Sequence, residues 1–246
     1  PDRIVEVADD AVDRAKEAGG DTVRFYEATM LARVRHQLNL EQDLHGALER
    51  GELHVVYQPL WDLARETPVG MEALVRWQHP ERGPISPGEF IPLAERTGLI
   101  RAMGDWILDE VLGQAGDWLR DGLAPLPLGI AVNVSPRQFA QSDWVARVRS
   151  RIAASGLDPG HFKLEVTENL LMANLGNAEA KMTELRGEGV GFALDDFGTG
   201  YSSLAYLQEL PLDWLKMDRS FVGRIGESKE SEGIIEALLA MAGHLG

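Results

Sequence analysis

The chain has no cysteine among its 246 residues, which excludes disulfides and every thiolate metal site. It is short of positive charge: 24 lysines and arginines stand against 39 aspartates and glutamates, a formal net charge of −15. A nucleic-acid backbone binder would carry a basic stripe, so that class of partner is argued against. A small phosphorylated substrate is still compatible, because divalent cations reverse the local charge of an acidic site. No apolar run is long enough for a bilayer span and no signal peptide opens the chain, so no membrane contact is expected from this stretch. A cytoplasmic location is expected, with any membrane anchor upstream. The six histidines show no metal-binding spacing and read as surface or core residues. The first residue is Pro1 rather than methionine, which points to a processed or excised piece.

An apolar fraction of 44% supports a folded core. Residues from Ile4 to Ala18 read as a helix stopped by Gly19-Gly20, and Thr22 to Tyr26 as a short strand. A second helix, carrying Leu31, Val34, Leu38, Leu44 and Leu48, runs to Gly51. Short apolar runs then alternate with helices: Leu53–Tyr57, Val69–Trp77, Leu128–Asn133, Phe162–Thr167, Gly191–Asp195 and Trp214–Met217. Ser86-Pro87-Gly88-Glu89 reads as a capping box that opens a long helical region, continued by Ile100, Met103, Ile107 and Val111 up to Gly122. Further helices centre on Val145–Ile152, Ala180–Leu185 and Ile234–Leu245, and Trp106, Trp118 and Trp144 read as packing.

Strand and helix in alternation predict an α/β fold with a parallel sheet, a TIM-like (β/α)8 barrel. The stretch between Tyr57 and Val69 contains Pro59 and Pro68 and is too short for a helical crossover. The first strand is therefore expected antiparallel to the second. Six strands are legible where such a barrel uses eight, so the barrel reads as truncated before its last two strands.

The chemistry concentrates at strand ends. Glu72, Asn133, Glu165, Asp195-Asp196, Lys216 and Asp218 fall on five successive strands, all near the end where barrel enzymes keep their active sites. Carboxylates and an amide without histidine or cysteine suit Mg²⁺ or Mn²⁺. Each residue taken alone has a plainer reading: a strand-end acid is usually a solvated cap, Asn133 can stabilise a turn before Pro136, and Lys216 can pair with one acid. The Asn133-Val134-Ser135 sequon reads as a chance match.

These residues belong to ordered motifs: Tyr57-Gln58-Pro59, Glu72-Ala73-Leu74-Val75-Arg76-Trp77, Phe90-Ile91-Pro92-Leu93-Ala94-Glu95, Asn133-Val134-Ser135-Pro136, Glu165-Val166-Thr167-Glu168, Asp195 to Leu204 and Lys216-Met217-Asp218. Together they resemble the EAL domain, a family of bacterial cyclic di-GMP phosphodiesterases. The match covers residues 53–246. Residues 1–29 resemble the closing helix and last strand of a GGDEF domain, and residues 30–52 form a linker helix between the two.

The resemblance implies metal-dependent hydrolysis of cyclic di-GMP to linear pGpG with two Mg²⁺ or Mn²⁺ ions. Glu72, Asn133, Glu165 and Asp195 would hold the first ion, and Asp195 with Asp196 the second. Lys216 would hold and acidify the attacking water. Glu168 would tether the loop from Asp196 to Ser203. Gln58, Leu74 and Arg76 would contact the dinucleotide, with Asp218 also on the substrate side. A homodimer through this domain is implied as well. The family's downstream A-E-G-V-E strand, whose first glutamate is a ligand or base, is not in this sequence, so inactivity is expected of this stretch alone. The alternative implied by that gap is a receptor or regulatory domain that binds cyclic di-GMP without cleaving it.

Overall fold

The computed structural model describes residues 12, 16, 28–122, 129–198, 207 and 209–245. The helix expected from Ile4 to Ala18, the strand expected from Thr22 to Tyr26, residue Leu128 and most of the loop after Asp196 lie outside the described residues. No described helix is long and apolar enough to cross a membrane. The chain divides into two compact units, one of Pro1–His54 with Arg76–Leu99 and one of Val55–Val75 with Ile100–Gly246.

The first unit holds helix α1 (Ala28–Ala47), the start of strand β1 (Leu53–Asp62), the end of strand β2 (Thr67–His79), strand β3 (Gly83–Ile85) and helix α2 (Pro87–Thr97). Leu40, Leu44, Trp77, Phe90 and Leu93 form its core. The Trp77 ring meets Phe90 edge-on at 5.7 Å, and its indole N–H donates to Glu52 Oε2 at 3.0 Å, so the buried polar atom is satisfied. His79 Nδ1 accepts the backbone N–H groups of Glu81 and Arg82, which places the ring proton on Nε2, 3.2 Å from the Asp43 carboxylate.

Two expectations for this stretch need correction. The single long helical region is two helices. Gly98 ends α2 in the left-handed region at φ 81°, its N–H donating to the Glu95 carbonyl, before helix α3 (Ile100–Arg120) begins. Nor does Ser86 close a capping box: its side chain makes no cap bond, and the Glu89 carboxylate is taken instead by His36 Nε2 at 2.6 Å.

In the second unit, β1 and β2 are longer than the apolar runs suggest, and only residues 63–66 separate them. So short a link forces a hairpin. Asp62 Oδ1 accepts the N–H groups of both Ala64 and Arg65 at 2.9 Å, and Glu66 takes φ 53°. Pro59 is tolerated because β1 is an edge strand that can do without one donor.

The remaining strands are β4 (Gly129–Asn133), β5 (Phe162–Thr167), β6 (Gly191–Phe197) and β7 (Trp214–Met217), in sheet order β1-β2-β4-β5-β6-β7 with β3 paired to β2. From β2 through β7 the pairings are parallel. Between them run helices α4 (Pro136–Phe139), α5 (Trp144–Ser155), α6 (Glu168–Ala173) and α7 (Leu175–Arg186), and after β7 come α8 (Arg219–Val222) and α9 (Lys229–Leu245). The α/β alternation is as expected; β3, α4, α6 and α8 are additions too short to show a period.

Side-chain alternation sorts each strand into two faces. Ile130, Val132, Phe162, Leu164, Val166, Phe192 and Leu194 lie on one face and are buried. The other face carries, from one end to the other, Gly129, Lys163, Gly191 and Trp214; then Ala131 and Ala193; then Asn133, Glu165, Asp195 and Lys216. In the lowest layer Lys163 Nζ rests 3.2 Å from the centre of the Trp214 ring, filling the space that Gly129 and Gly191 leave open. The middle layer is alanine, and the acids sit above it.

Where β2 and β4 pair, a Cβ on Gly70 would stand 2.7 Å from the Gly129 carbonyl oxygen, and neither backbone can yield without opening the ladder that carries Glu72. Gly70→Ala is expected to destabilise the fold by about 1–3 kcal/mol in urea unfolding. Gly113→Ala, in α3 with nothing within 4 Å, should instead stabilise it by roughly 1 kcal/mol. Equal effects at the two sites would contradict the packing described.

Candidate metal centre

Strand register brings the acids together. Asn133 is paired directly with Glu165 across β4 and β5, and Thr167 with Asp195 across β5 and β6. Glu72 lies opposite Ala131, two residues before Asn133, and the Asn133 Nδ2 donates to Glu72 Oε1 at 2.8 Å. Ligand-type oxygens of Glu72, Glu165 and Asp195 all lie within 4.8 Å of one another. Among the described residues this is a cluster that could hold a metal ion.

Three carboxylates this close repel one another unless a cation intervenes. Lys216 supplies it. Its Nζ lies 2.5 Å from Glu165 Oε2, 3.1 Å from Glu72 Oε2 and 3.3 Å from Asp195 Oδ1. Burial opposes the charge on this ammonium, but the hydrogen bond to Glu165 and the charges of Glu165, Asp195 and Glu72 outweigh it and hold its pKa well above the usual lysine value. The Glu165 side chain is 1% exposed. Its burial, together with the negative charges of Glu72 and Asp195, raises its carboxyl to about 7 against the lowering pull of Lys216.

Asp196 sits differently. The β6–β7 register shifts between Leu194 and Phe197, a bulge whose residue Asp196 takes φ 54° and whose N–H donates to Asp195 Oδ1 at 3.0 Å. Bulges re-aim side chains beside functional sites, and this one turns Asp196 out of the strand's alternation. Its carboxylate is not part of the close triad, yet partial burial and then the charges of Asp195 and Asp218 raise its pKa.

The other predicted residues fall as follows. Glu168 is buried at the start of α6, immediately after β5, where the helix N-terminus favours an acid. Leu74 and Arg76 are half-buried on β2, on the same face of the strand as Glu72, and Gln58 is exposed on β1. Asp218 caps α8, its Oδ1 accepting the Ser220 N–H at 2.9 Å; hydrogen bonds from Ser220 lower its pKa. The far end of the Glu168 tether, the loop to Ser203, lies outside the described residues.

Two features were missed from sequence: the bulge at Asp195-Asp196, and a reciprocal capping box of Ser135 and Gln138 directly after Asn133. The second had a legible signal, since Ser135-Pro136-Arg137-Gln138 repeats the pattern assigned to Ser86-Pro87-Gly88-Glu89.

The donor set fits a hard divalent cation. All of it is oxygen, from three carboxylates and one amide, with no histidine or thiolate, and Asn133 already turns its N–H donor to Glu72, so its carbonyl oxygen is the atom left to offer.

The family model described as "EAL domain" matches residues 41–246. The chain is 43% identical over 245 residues to the uncharacterized protein y4lL of Sinorhizobium fredii, covering 100% of this chain and 29% of that protein. It is 43% identical over 234 residues to the bifunctional diguanylate cyclase/cyclic di-GMP phosphodiesterase MucR of Pseudomonas aeruginosa, covering 95% of this chain and 34% of that protein. The solved structure of the PaMucR phosphodiesterase in complex with c-di-GMP superposes with a TM-score of 0.80 at 42% identity, covering 84% of this chain and 83% of that one. The chain thus spans about a third of the length of these curated relatives.

Both Glu165 and Asp196 have raised pKa values in the folded chain, so the folded state holds protons that the unfolded state has already lost. Their contribution is fully present below the ordinary carboxylate range and is lost as pH rises through Glu165's value of about 7. In chelator, the melting temperature is expected to fall between about pH 5 and pH 8, and Glu165→Gln should flatten that slope. A wild-type slope unchanged by Glu165→Gln, followed by thermal unfolding, would contradict the assignment.

Proposed function

The chain belongs to the EAL domain family, and on that premise we propose that it is a metal-dependent phosphodiesterase hydrolysing cyclic di-GMP to linear pGpG. The observation that carries this reading is the convergence of Glu72, Asn133, Glu165, Asp195 and Lys216 from five strands onto one point. The MucR relative, bifunctional by name, and the c-di-GMP complex of its phosphodiesterase support the choice of substrate.

Glu72, Asn133, Glu165 and Asp195 would hold Mg²⁺ or Mn²⁺, with Asp195 and Asp196 reaching toward a second ion. Bound ions would lower the pKa of a water and stabilise the charge growing on phosphorus. The chain's own groups do the rest. Asn133 holds the Glu72 carboxylate in place by its 2.8 Å hydrogen bond. Glu165, whose carboxyl is raised to about 7, would hold a divalent cation as its deprotonated carboxylate. Lys216 remains an ammonium, and its position among the ligands lets it orient the attacking water and share the negative charge of the transition state. Arg76 would meet a phosphate through its guanidinium, and Gln58 and Leu74 would meet the nucleotide. Glu168 would link the site to the loop after Asp196.

The test is hydrolysis of cyclic di-GMP by the full-length protein, followed by chromatography of pGpG. Turnover should require Mg²⁺ or Mn²⁺, stop in chelator and return when metal is restored. Glu72→Ala should lower kcat by roughly 10³-fold, the loss expected when several kcal/mol of charge stabilisation disappear. Tight cyclic di-GMP binding without any turnover in either metal would overturn the enzymatic reading in favour of a receptor.

A further inference from the structure

The pattern Ser-Pro-x-acid/amide occurs twice in this chain, and the two copies behave differently. At Ser135-Pro136-Arg137-Gln138 the box closes: Ser135 Oγ accepts the Gln138 N–H at 3.3 Å, and Gln138 Oε1 accepts the Ser135 N–H at 3.2 Å. At Ser86 it stays open. The difference lies in what stands behind each fourth residue. Glu89 is exposed to a competing partner, His36, whereas Gln138 is buried and has nowhere else to go.

Gln138 is confined from two sides. Its amide lies over Gly104 of α3, so close that a Cβ there would stand 1.6 Å from Nε2 and 2.5 Å from Cδ. One residue further on, Lys181 reaches across from α7. Its Nζ donates to the carbonyls of Phe139 at 2.5 Å and Gln141 at 2.9 Å, and lies 5.2 Å from the centre of the Phe139 ring. Helix α4 has only four residues, so the Phe139 carbonyl at its C-terminal end has no partner within the helix, and the buried Lys181 ammonium satisfies it.

This support begins two residues after Asn133. On the near side Val134 N–H donates to the Glu165 carbonyl at 2.9 Å, extending the β4–β5 ladder. Asn133 is therefore held between the ladder and the box. We propose that Gly104, Gln138 and Lys181 are positioning residues that hold the Asn133 carboxamide in place for a divalent cation. The inference rests on the reading of Glu72, Asn133, Glu165 and Asp195 as the ion site. None of the three residues touches that site; each acts through the turn that fixes Asn133. A methyl group on Gly104 would drive the Gln138 amide away from the Ser135 N–H, open the box and loosen the turn that holds Asn133, two residues before it.

Calorimetric titration with Mn²⁺ tests this, with far-UV circular dichroism to confirm that each variant is folded. Wild type should take up Mn²⁺, and Gly104→Ala and Lys181→Met should each bind it roughly tenfold more weakly, the loss that removal of a ligand's support produces. Gln138→Ala should also weaken binding. Adding Gly104→Ala to Gln138→Ala should weaken it no further, since the group that clashed is gone. Should Gly104→Ala fail to fold, Ser135→Ala opens the same box without adding an atom, and the same weakening is expected. Folded variants that bind Mn²⁺ as tightly as wild type would overturn the positioning role alone, as would a further loss in the double variant. Absence of Mn²⁺ uptake by wild type would overturn the ion site itself, and this inference with it.

Discussion

Three carboxylates forced together by strand register, with one lysine held among them, set the terms for the rest of this structure. Glu72, Glu165 and Asp195 come from three separate strands, and none of them can move away without breaking a parallel ladder. Lys216 neutralises only part of that charge. Burial first, and then the charges of Glu72 and Asp195, raise the pKa of Glu165 and leave a site suited to a cation. The small residues beneath, Ala131 and Ala193, and below them the Lys163–Trp214 stack, set the level at which the acids sit. Packing and electrostatics are here one constraint: the sheet creates the repulsion that a divalent ion would relieve.

The polar support is layered in the same way. Asn133 faces Glu72, the box of Ser135 and Gln138 anchors the turn after Asn133, and Lys181 anchors the end of that turn. The Asn133 amide, the Ser135–Gln138 box and the Lys181 ammonium each find hydrogen-bond partners, which is what allows polar groups to be buried beside a charged site without large cost. The bulge at Asp196 is the exception. There the ladder slips, the backbone takes a left-handed conformation, and a second carboxylate leaves the plane of its strand.

Much of this was legible in the sequence, and the misses have physical causes. The short stretch between Tyr57 and Val69 correctly signalled an antiparallel first pair, because it leaves no room for a helical crossover. The short apolar runs located the strands to within a residue or two, except that β1 and β2 extend into their hairpin. The strand-end acids could be named, but their mutual distances depend on register, which no local pattern contains. The helix break at Gly98 was passed over because apolar periodicity resumes at Ile100. The capping box was assigned to Ser86 rather than Ser135 because the local pattern is the same at both. Tertiary partners decide between them: His36 draws Glu89 away, whereas Gly104 makes room for Gln138.

The most direct test of the central claim is an anomalous-scattering map from crystals of the protein grown with Mn²⁺. The account predicts a peak bounded by Glu72, Asn133, Glu165 and Asp195, with the Lys216 ammonium displaced from at least one of the three carboxylates it now pairs. Mn²⁺ bound elsewhere, with Lys216 still bridging Glu72, Glu165 and Asp195 in protein that turns over its substrate, would contradict it.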